Sequence, residues 1–278
     1  LFRRDVGASF ALEALDTSGS AATDFAVANI TALTGDQLVL NWDAGADTPG
    51  DNIWESTVNA SSDSQMTFRS GAQTPVVVND PTYVGITSAY RFGAGGATDS
   101  ADIQTWDADL GTGVNLDQTD ATMEFVIRPD DYAGSHVIWE SGGTGVGAVL
   151  GMDGSNLVFE VRNSGDTRVE HDLSALGIAP GEWIQVVVVM DLNSTDADAV
   201  RMYVNGSANV DFEAKNFNDF SGSGGAELME EDGATPATAG DADDIDATTP
   251  LSLFNGDIAA FRHYAKVLST TEIDDNFA

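Results

Sequence analysis

The sequence predicts an all-β fold, two antiparallel sheets packed as a sandwich with one short C-terminal helix. Three observations carry this. Apolar residues fall in short runs rich in β-branched and aromatic side chains, Gly, Asn or Asp bounds those runs, and helical spacing is confined to the last ten or so residues. With 42% hydrophobic residues among 278, the chain can bury a large core.

Residues 1–36 read as an N-terminal arm with extra strands, since ASFALEAL (8–15) and FAVANITAL (25–33) have strand-like content. The main domain is expected over 37–278. Its strands are AYRF (89–92), ATMEFVIRP (121–129), HVIWE (136–140), VGAVLGM (146–152), NLVFEVRN (156–163), EWIQVVVVMD (182–191), VRMYVNG (200–206) and IAAFRHY (258–264). In 121–129, Met123, Phe125 and Ile127 alternate with Thr122, Glu124 and Arg128, which gives one buried face. Val186 to Val189 is apolar on both faces and belongs inside a sheet. DGSN (153–156) makes a hairpin turn. Residues 221–249, rich in Gly, Ala, Thr and Asp, read as an acidic surface loop. Ser269 followed by Glu272 forms a capping box for a helix in LSTTEIDDNF (268–277), with Ile273 and Phe277 one turn apart to pack on a sheet.

Charge excludes whole classes. There are 45 acidic against 11 basic side chains, a net of -34, with only two lysines, Lys215 and Lys266. Such a surface repels nucleic acid and anionic lipid, leaving cations, neutral sugars and proteins as partners. Self-repulsion is removed where salt screens over roughly 3 to 8 Å, which suits a halophilic or marine setting. The absence of Cys excludes disulfides and thiolate metal sites. No apolar run reaches the roughly 18 residues of a membrane span. The opening LFRRD reads as a processed N-terminus and hence a secreted, extracellular protein. Sequons at Asn29, Asn59, Asn193 and Asn205 permit glycosylation there.

Several motifs follow one another in a recognisable order. A strand ending Arg128-Pro129-Asp130 precedes one carrying Trp139, and a Gly-rich hairpin leads into LGMDGSNLVFEV (150–161). Pro180-Gly181-Glu182-Trp183 opens the Val strand, RMYVNG (201–206) follows, and FNGDIAAFRHYAKVLSTTEI (254–273) closes the series. Upstream lies LVLNWDAGADTPGDNIWESTVN (38–59). This succession resembles the laminin-G-like, concanavalin A-like lectin and glucanase jelly-roll superfamily over residues 37–278. The resemblance implies two curved antiparallel sheets, a Ca2+ ion near one sheet edge, and a ligand surface on the concave face or rim loops. Family members often carry an acidic pair after the Ile of the last strand. Here Ala259 and Ala260 follow Ile258, while Asp257 precedes it and faces the other way.

The resemblance also says what a catalyst would need, and no Glu-x-Asp-x-x-Glu strand of the glycosidases is present. The three His (136, 171 and 263) lack metal-ligand spacing. Glu124, Glu140 and Glu160 remain as remote acid candidates, set against a reading as outward-facing strand carboxylates. No enzyme is therefore expected. For Ca2+, which takes six to eight oxygen ligands, the densest oxygen clusters are Asp43, Asp47 and Asp51; Asp191, Asn193, Asp196 and Asp198; and Asp241, Asp243, Asp244 and Asp246. The last two groups are named as metal candidates, against solvated loops. For glycans, Trp54 and Trp106 lie in polar surroundings and are the candidate stacking platforms, against loop anchors, while Trp139 and Trp183 belong to the core.

The N-terminus supplies the remaining candidate. Leu1, Phe2, Arg3, Arg4 and Val6 form an apolar, basic tip, which leaves nine basic against 45 acidic residues in the remainder. Such an arm complements the body of another copy, and head-to-tail strand addition would propagate into a filament or close into a ring. The expectation is a non-catalytic extracellular interaction protein, first a self-assembling subunit of a cell-surface layer or appendage. The alternative is a Ca2+-assisted carbohydrate-binding or adhesion module, and a polysaccharide-active enzyme is third.

Overall fold

The computed structural model describes residues 3–6, 9–12, 38–58, 65–68, 74–78, 85–93, 101–103, 120–143, 146–163, 166–191, 193–194, 198–208, 226–228 and 252–277. Within them, β1 (Arg3–Val6) and β2 (Ser9–Leu12) form a two-stranded hairpin of their own. The other strands build two sheets. The nine-stranded sheet runs β13 (Asp166–Asp172), β12 (Asn156–Asn163), β11 (Val146–Asp153), β10 (Ser135–Gly143), β17 (Ala226–Leu228), β8 (Ala101–Ile103), β5 (Gln65–Phe68), β4 (Ile53–Glu55), and β18 (Ser252–Leu253) pairs in parallel with β10. The eight-stranded sheet runs β16 (Ser207–Ala208), β15 (Val200–Val204), β14 (Ile184–Met190), β9 (Ala121–Pro129), β19 (Gly256–Tyr264), β7 (Ser88–Phe92), β6 (Val76–Val77), with β3 (Leu38–Asp43) also on β19. All pairs other than β10–β18 are antiparallel.

The period-2 pattern decides which residues enter the core. Met123, Phe125 and Ile127 of β9, Val186 and Val188 of β14, and Ile258 and Phe261 of β19 meet Trp139, Leu150, Met152, Phe159 and Val161 from the other sheet. Phe261 anchors the centre, stacked on Trp42 at 5.1 Å and tilted against Phe125 at 4.7 Å. Each such buried side chain contributes roughly 1.5–3 kcal/mol. Gly154, at φ 60, makes the turn between β11 and β12 that DGSN predicts.

The alternate residues of the eight-stranded sheet face outward, yet much of that face is covered. Helix α1 (Thr270–Phe277) packs Ile273 on Leu38, Val187, Val189, Tyr203 and Tyr264. Its capping box forms as expected: Glu272 N–H donates to Ser269 Oγ at 3.3 Å and Ser269 N–H to Glu272 Oε2 at 2.9 Å. The Glu272 carboxyl titrates below its usual range, chiefly because Lys266 Nζ donates to it at 2.5 Å.

Three expectations need correction. The stretch 221–249 is not loop throughout, since Ala226–Leu228 forms β17 between β10 and β8; a three-residue strand gains partners on both sides that local composition does not show. Trp54 is no surface platform. It is fully buried at 0% exposure, packed on Phe68 and Tyr90 because β4 turns its indole inward. Glu124 is not an outward solvated carboxylate but is also 0% exposed.

Candidate functional site

The outer face of the eight-stranded sheet places three rows of side chains across β3 or β7, β19 and β9. The first is Asn41, Arg262, Glu124 and, on β14, Val187. The second is Asp43, Ala260, Val126 and Gln185. The third is Arg91, Asp257 and Arg128.

Row one is a buried lock. Glu124 accepts from Gln185 Nε2 at 2.7 Å, Arg262 Nη1 at 2.8 Å, Asn276 Nδ2 at 3.0 Å and the Tyr264 hydroxyl at 3.1 Å. Arg262 Nε donates to Asn41 Oδ1 at 3.1 Å. Asn276 brings α1 into the same network, and Thr122 donates to the Lys266 carbonyl and accepts from Leu268 N–H beside it. Burial, and then the Glu124 charge, push the Tyr264 hydroxyl well above its ordinary range, so it stays a donor.

Row two is a notch. β9 fills one edge of β19 along its whole length, so β3 and β7 share the other edge end to end. The bulge between Ile258 and Ala260 lies where those two strand ends meet. A shallow, open indentation of about 10 Å³ results, room for roughly one water, floored by Val126, Ala259 and Ala260 and walled by Asp43, Ser88, Ile86 and Arg262. The floor is built of small side chains, and the walls carry a carboxylate, a hydroxyl and a guanidinium. A few fixed polar groups around an apolar floor are the usual makings of a small-molecule site, but this notch is far shallower than the roughly 300–1,000 Å³ of drug-sized pockets and offers a contact point rather than an enclosure.

Row three is a half-exposed rim. Asp257 is fully buried, and one of its oxygens, Oδ2, accepts from Arg91 Nη1 at 2.8 Å, Arg128 Nε at 2.8 Å and Arg128 Nη2 at 2.6 Å. Arg91 Nη2 also donates to Asp130 Oδ2. The Arg128 guanidinium sits 4.9 Å over the Trp183 ring. Partial burial alone would lower the Arg91 pKa, but the Asp257 and Asp130 charges outweigh it and raise the value.

The expected sites are dispersed. Asp191 Oδ1 accepts from Ser194 N–H at 2.9 Å, Asn193 Nδ2 donates to Asp120 at 3.0 Å, and Asp198 lies 4.0 Å from Arg201, so these three serve different partners. Asp196, Asp241, Asp243, Asp244, Asp246, Trp106, Leu1 and Phe2 lie outside the described residues. Arg3, Arg4 and Val6 fall on β1, opposite Leu12, Ala11 and Ser9 of β2. In the third acidic cluster, Asp43, Asp47 and Asp51 accept from Gly45, Glu55 and Ile53 N–H, which closes their own loop. Asp47 also accepts from the Tyr90 hydroxyl, and burial holds its pKa up. Among the described residues no three His, Asp or Glu converge to hold a metal. The strand position where the family implies calcium carries Ala259 and Ala260, and these do not fit the ion.

Glu140 and Glu160, at 2% and 5% exposure, sit on one face of the nine-stranded sheet in the register Glu140, Val149, Glu160, Arg168. Their backbones are two strand spacings, about 10 Å, apart. The Arg91, Arg128 and Asp257 set escaped sequence reasoning because 129 and 166 residues separate the bonded pairs. The available signal was a lone Asp opposite Ile258 in the last strand.

These features define a jelly-roll sandwich with a shallow, polar-walled notch on one outer face. The chain belongs to the concanavalin A-like lectin/glucanases superfamily, whose laminin G-like family model matches residues 98–274. Strands β3 to β7, upstream of the residues that the family model matches, complete the same two sheets. Among solved structures the fold is similar to the binding domain of botulinum neurotoxin DC in complex with rat synaptotagmin II (TM-score 0.58, 14% identity, 87% of this chain and 51% of that one). It is similar as well to a botulinum neurotoxin type C structure, reported with cell entry dependent on two ganglioside molecules (0.58, 15%, 87% and 51%). A third is the ligand-binding domain of botulinum neurotoxin serotype D in complex with N-acetylneuraminic acid (0.55, 11%, 86% and 50%). The chain spans about half the length of these structures. No curated protein matches its sequence. Among the described residues no helix is long and apolar enough to cross a membrane.

Proposed function

We propose that the chain is a non-catalytic extracellular binding module that recognises a carbohydrate on the outer face of its eight-stranded sheet. The notch at the junction of β3 and β7 is the observation that carries this reading, because the Asp43 carboxylate and the Ser88 hydroxyl stand beside a shallow floor of Val126, Ala259 and Ala260 that a sugar edge can cover. Family membership and the receptor-binding context of structures with this fold lend it support. Glu124 is fully buried and engaged by Gln185, Arg262, Tyr264 and Asn276, which favours a fastening over an acid catalyst. The test is a glycan array run with calcium and again with chelator, together with an Ala260→Leu variant that fills the notch floor. The expected result is a glycan hit that Ala260→Leu abolishes while the melting temperature is kept. Absence of any hit in both conditions overturns the reading, and loss only with chelator assigns a calcium ion outside the described residues.

Self-association is a second reading, and the order of the two is the reverse of that drawn from sequence. It is favoured by edge strand β6, where Val76 and Val77 are 43% and 73% exposed, and by the β1–β2 hairpin, which pairs with no third strand among the described residues. Two-stranded hairpins are marginal alone in water, and open edges accept strands. Deleting residues 1–12 and comparing particle size by light scattering tests it; monomers before and after would overturn it.

A further inference from the structure

We infer that the rim beside the notch recognises the carboxylate of an acidic saccharide, a uronic or sialic acid, with Asp130 as an internal stand-in for that carboxylate. The inference rests on the carbohydrate-binding reading and names the class of sugar it serves. On a chain of net charge -34 with nine arginines, two of them converge on one buried Asp, and each keeps 29% of its side chain exposed. Asp257 holds both through a single oxygen, with Arg128 Nε and Nη2 and Arg91 Nη1 as donors. Asp257 is thus a fixed internal counter-charge that orients the two guanidiniums.

What these bonds leave over is the basis of the assignment. Among the described residues Arg128 Nη1 and Arg91 Nε donate no hydrogen bond. The Nη1–Nη2 edge of Arg128, steadied over Trp183, therefore presents the parallel pair of N–H groups that a carboxylate accepts in bidentate form. Asp130 differs from Asp257 in both respects that matter. It is 28% exposed where Asp257 is 0%, and it makes one bond to Arg91 where Asp257 makes three to the two arginines. An exposed ion pair is worth about 0.2–1 kcal/mol, so a ligand carboxylate can displace Asp130 but not Asp257. The acidic body repels anions over a screening length, so capture has to come from short-range hydrogen bonds, and binding is best read in about 0.5 M salt.

The experiment is isothermal titration with glucuronic acid and N-acetylneuraminic acid against glucose and galactose, on the wild-type chain and on Asp130→Asn, Arg128→Lys and Arg91→Gln. Acidic sugars should bind more tightly than neutral ones. Asp130→Asn should raise affinity for the acids up to about fivefold, the full worth of an exposed pair, and leave neutral sugars unchanged. Arg128→Lys, which keeps the charge beside Asp257 but loses the fork, should weaken the acids by tenfold or more. Should Arg91→Gln unfold, the other two variants still decide. Equal binding of acidic and neutral sugars, or an unchanged or lowered affinity in Asp130→Asn, overturns the inference and leaves the carbohydrate reading standing. Failure of all four sugars, together with an empty glycan array, removes both.

Discussion

Two arginine–carboxylate clusters share one face of one sheet, two rows apart, and they differ in contact with water. In the lock, the Glu124 and Arg262 side chains are 0% and 5% exposed, and Gln185, Tyr264, Asn276 and Asn41 complete their hydrogen bonds. At the rim, Arg91, Arg128 and Asp130 are each nearly one-third exposed around a buried Asp257. The residue types are the same and the consequences opposite. A desolvated pair cannot exchange partners, because either charge alone would be stranded in a low-dielectric interior. A half-solvated pair can, since water compensates the partner that leaves. Burial therefore assigns the first cluster to holding α1 and leaves the second open to a change of partner.

The largest expected effect is at the lock. Glu124→Gln leaves the Arg262 guanidinium buried beside a neutral amide and should destabilise the fold by about 3–5 kcal/mol in urea titration. The Glu124→Leu and Arg262→Leu double variant should recover most of that loss, as expected when the cost lies in one unpaired charge. A Glu124→Gln loss below about 1 kcal/mol would place the lock in the same class as the rim.

Acid probes burial in a third setting. His263, between the sheets, is pushed down to about 3 by burial, and His171, whose Nε2 lies 3.2 Å from the Met202 carbonyl of the opposite sheet, is also lowered by burial. Below pH 6.5 the unfolded chain binds a proton at His263 that the folded chain refuses until about pH 3. The stabilisation is therefore complete above 6.5 and declines through that window by about 1.4 kcal/mol per pH unit, roughly 2 kcal/mol at pH 5. Urea titrations from pH 8 to 4 should show the decline, and His263→Leu should flatten it. Unchanged stability from pH 7 to 5 in the wild-type chain contradicts the assignment.

The same contrast explains what the sequence disclosed. Alternation around Phe125, the Gly154 turn and the Ser269–Glu272 box were all legible, because each depends on neighbours within a few residues. Glu124 was not, since period-2 spacing assigns a face and cannot say that α1 will cover it. Trp54 misled for a related reason: its flanks are polar, but three residues of β4 suffice to turn the indole onto Phe68 and Tyr90. The rim was illegible because Arg91, Arg128 and Asp257 come from three strands distant in sequence, and only register unites them.

A middle-sized effect separates rim geometry from rim charge. A Cβ on Gly256 would lie 2.4 Å from the Arg128 carbonyl and 2.6 Å from the Phe254 ring, so Gly256→Ala must shift the backbone that carries Arg128. Overpacking of this kind costs about 1–3 kcal/mol. The variant should also weaken acidic-sugar binding without altering any charge. Full stability in thermal melts would show that this strand end yields freely, and the rim would then lack the fixed geometry assigned to it.

The smallest effect is the most discriminating. Asp130→Asn removes an exposed partner of Arg91, while Asp257 stays in place beneath both guanidiniums and the Asp130 N–H still donates to the Asn255 carbonyl at 2.9 Å. Its cost in urea should therefore stay within about 1 kcal/mol, at least threefold below that of Glu124→Gln. A loss of several kcal/mol would mean that the fold depends on Asp130 as heavily as on Glu124, and no ligand carboxylate could take its place. A loss near zero, combined with tighter binding of acidic sugars, would show one sheet face using the same pair of charges as a fastening under α1 and as an exchangeable contact at its rim.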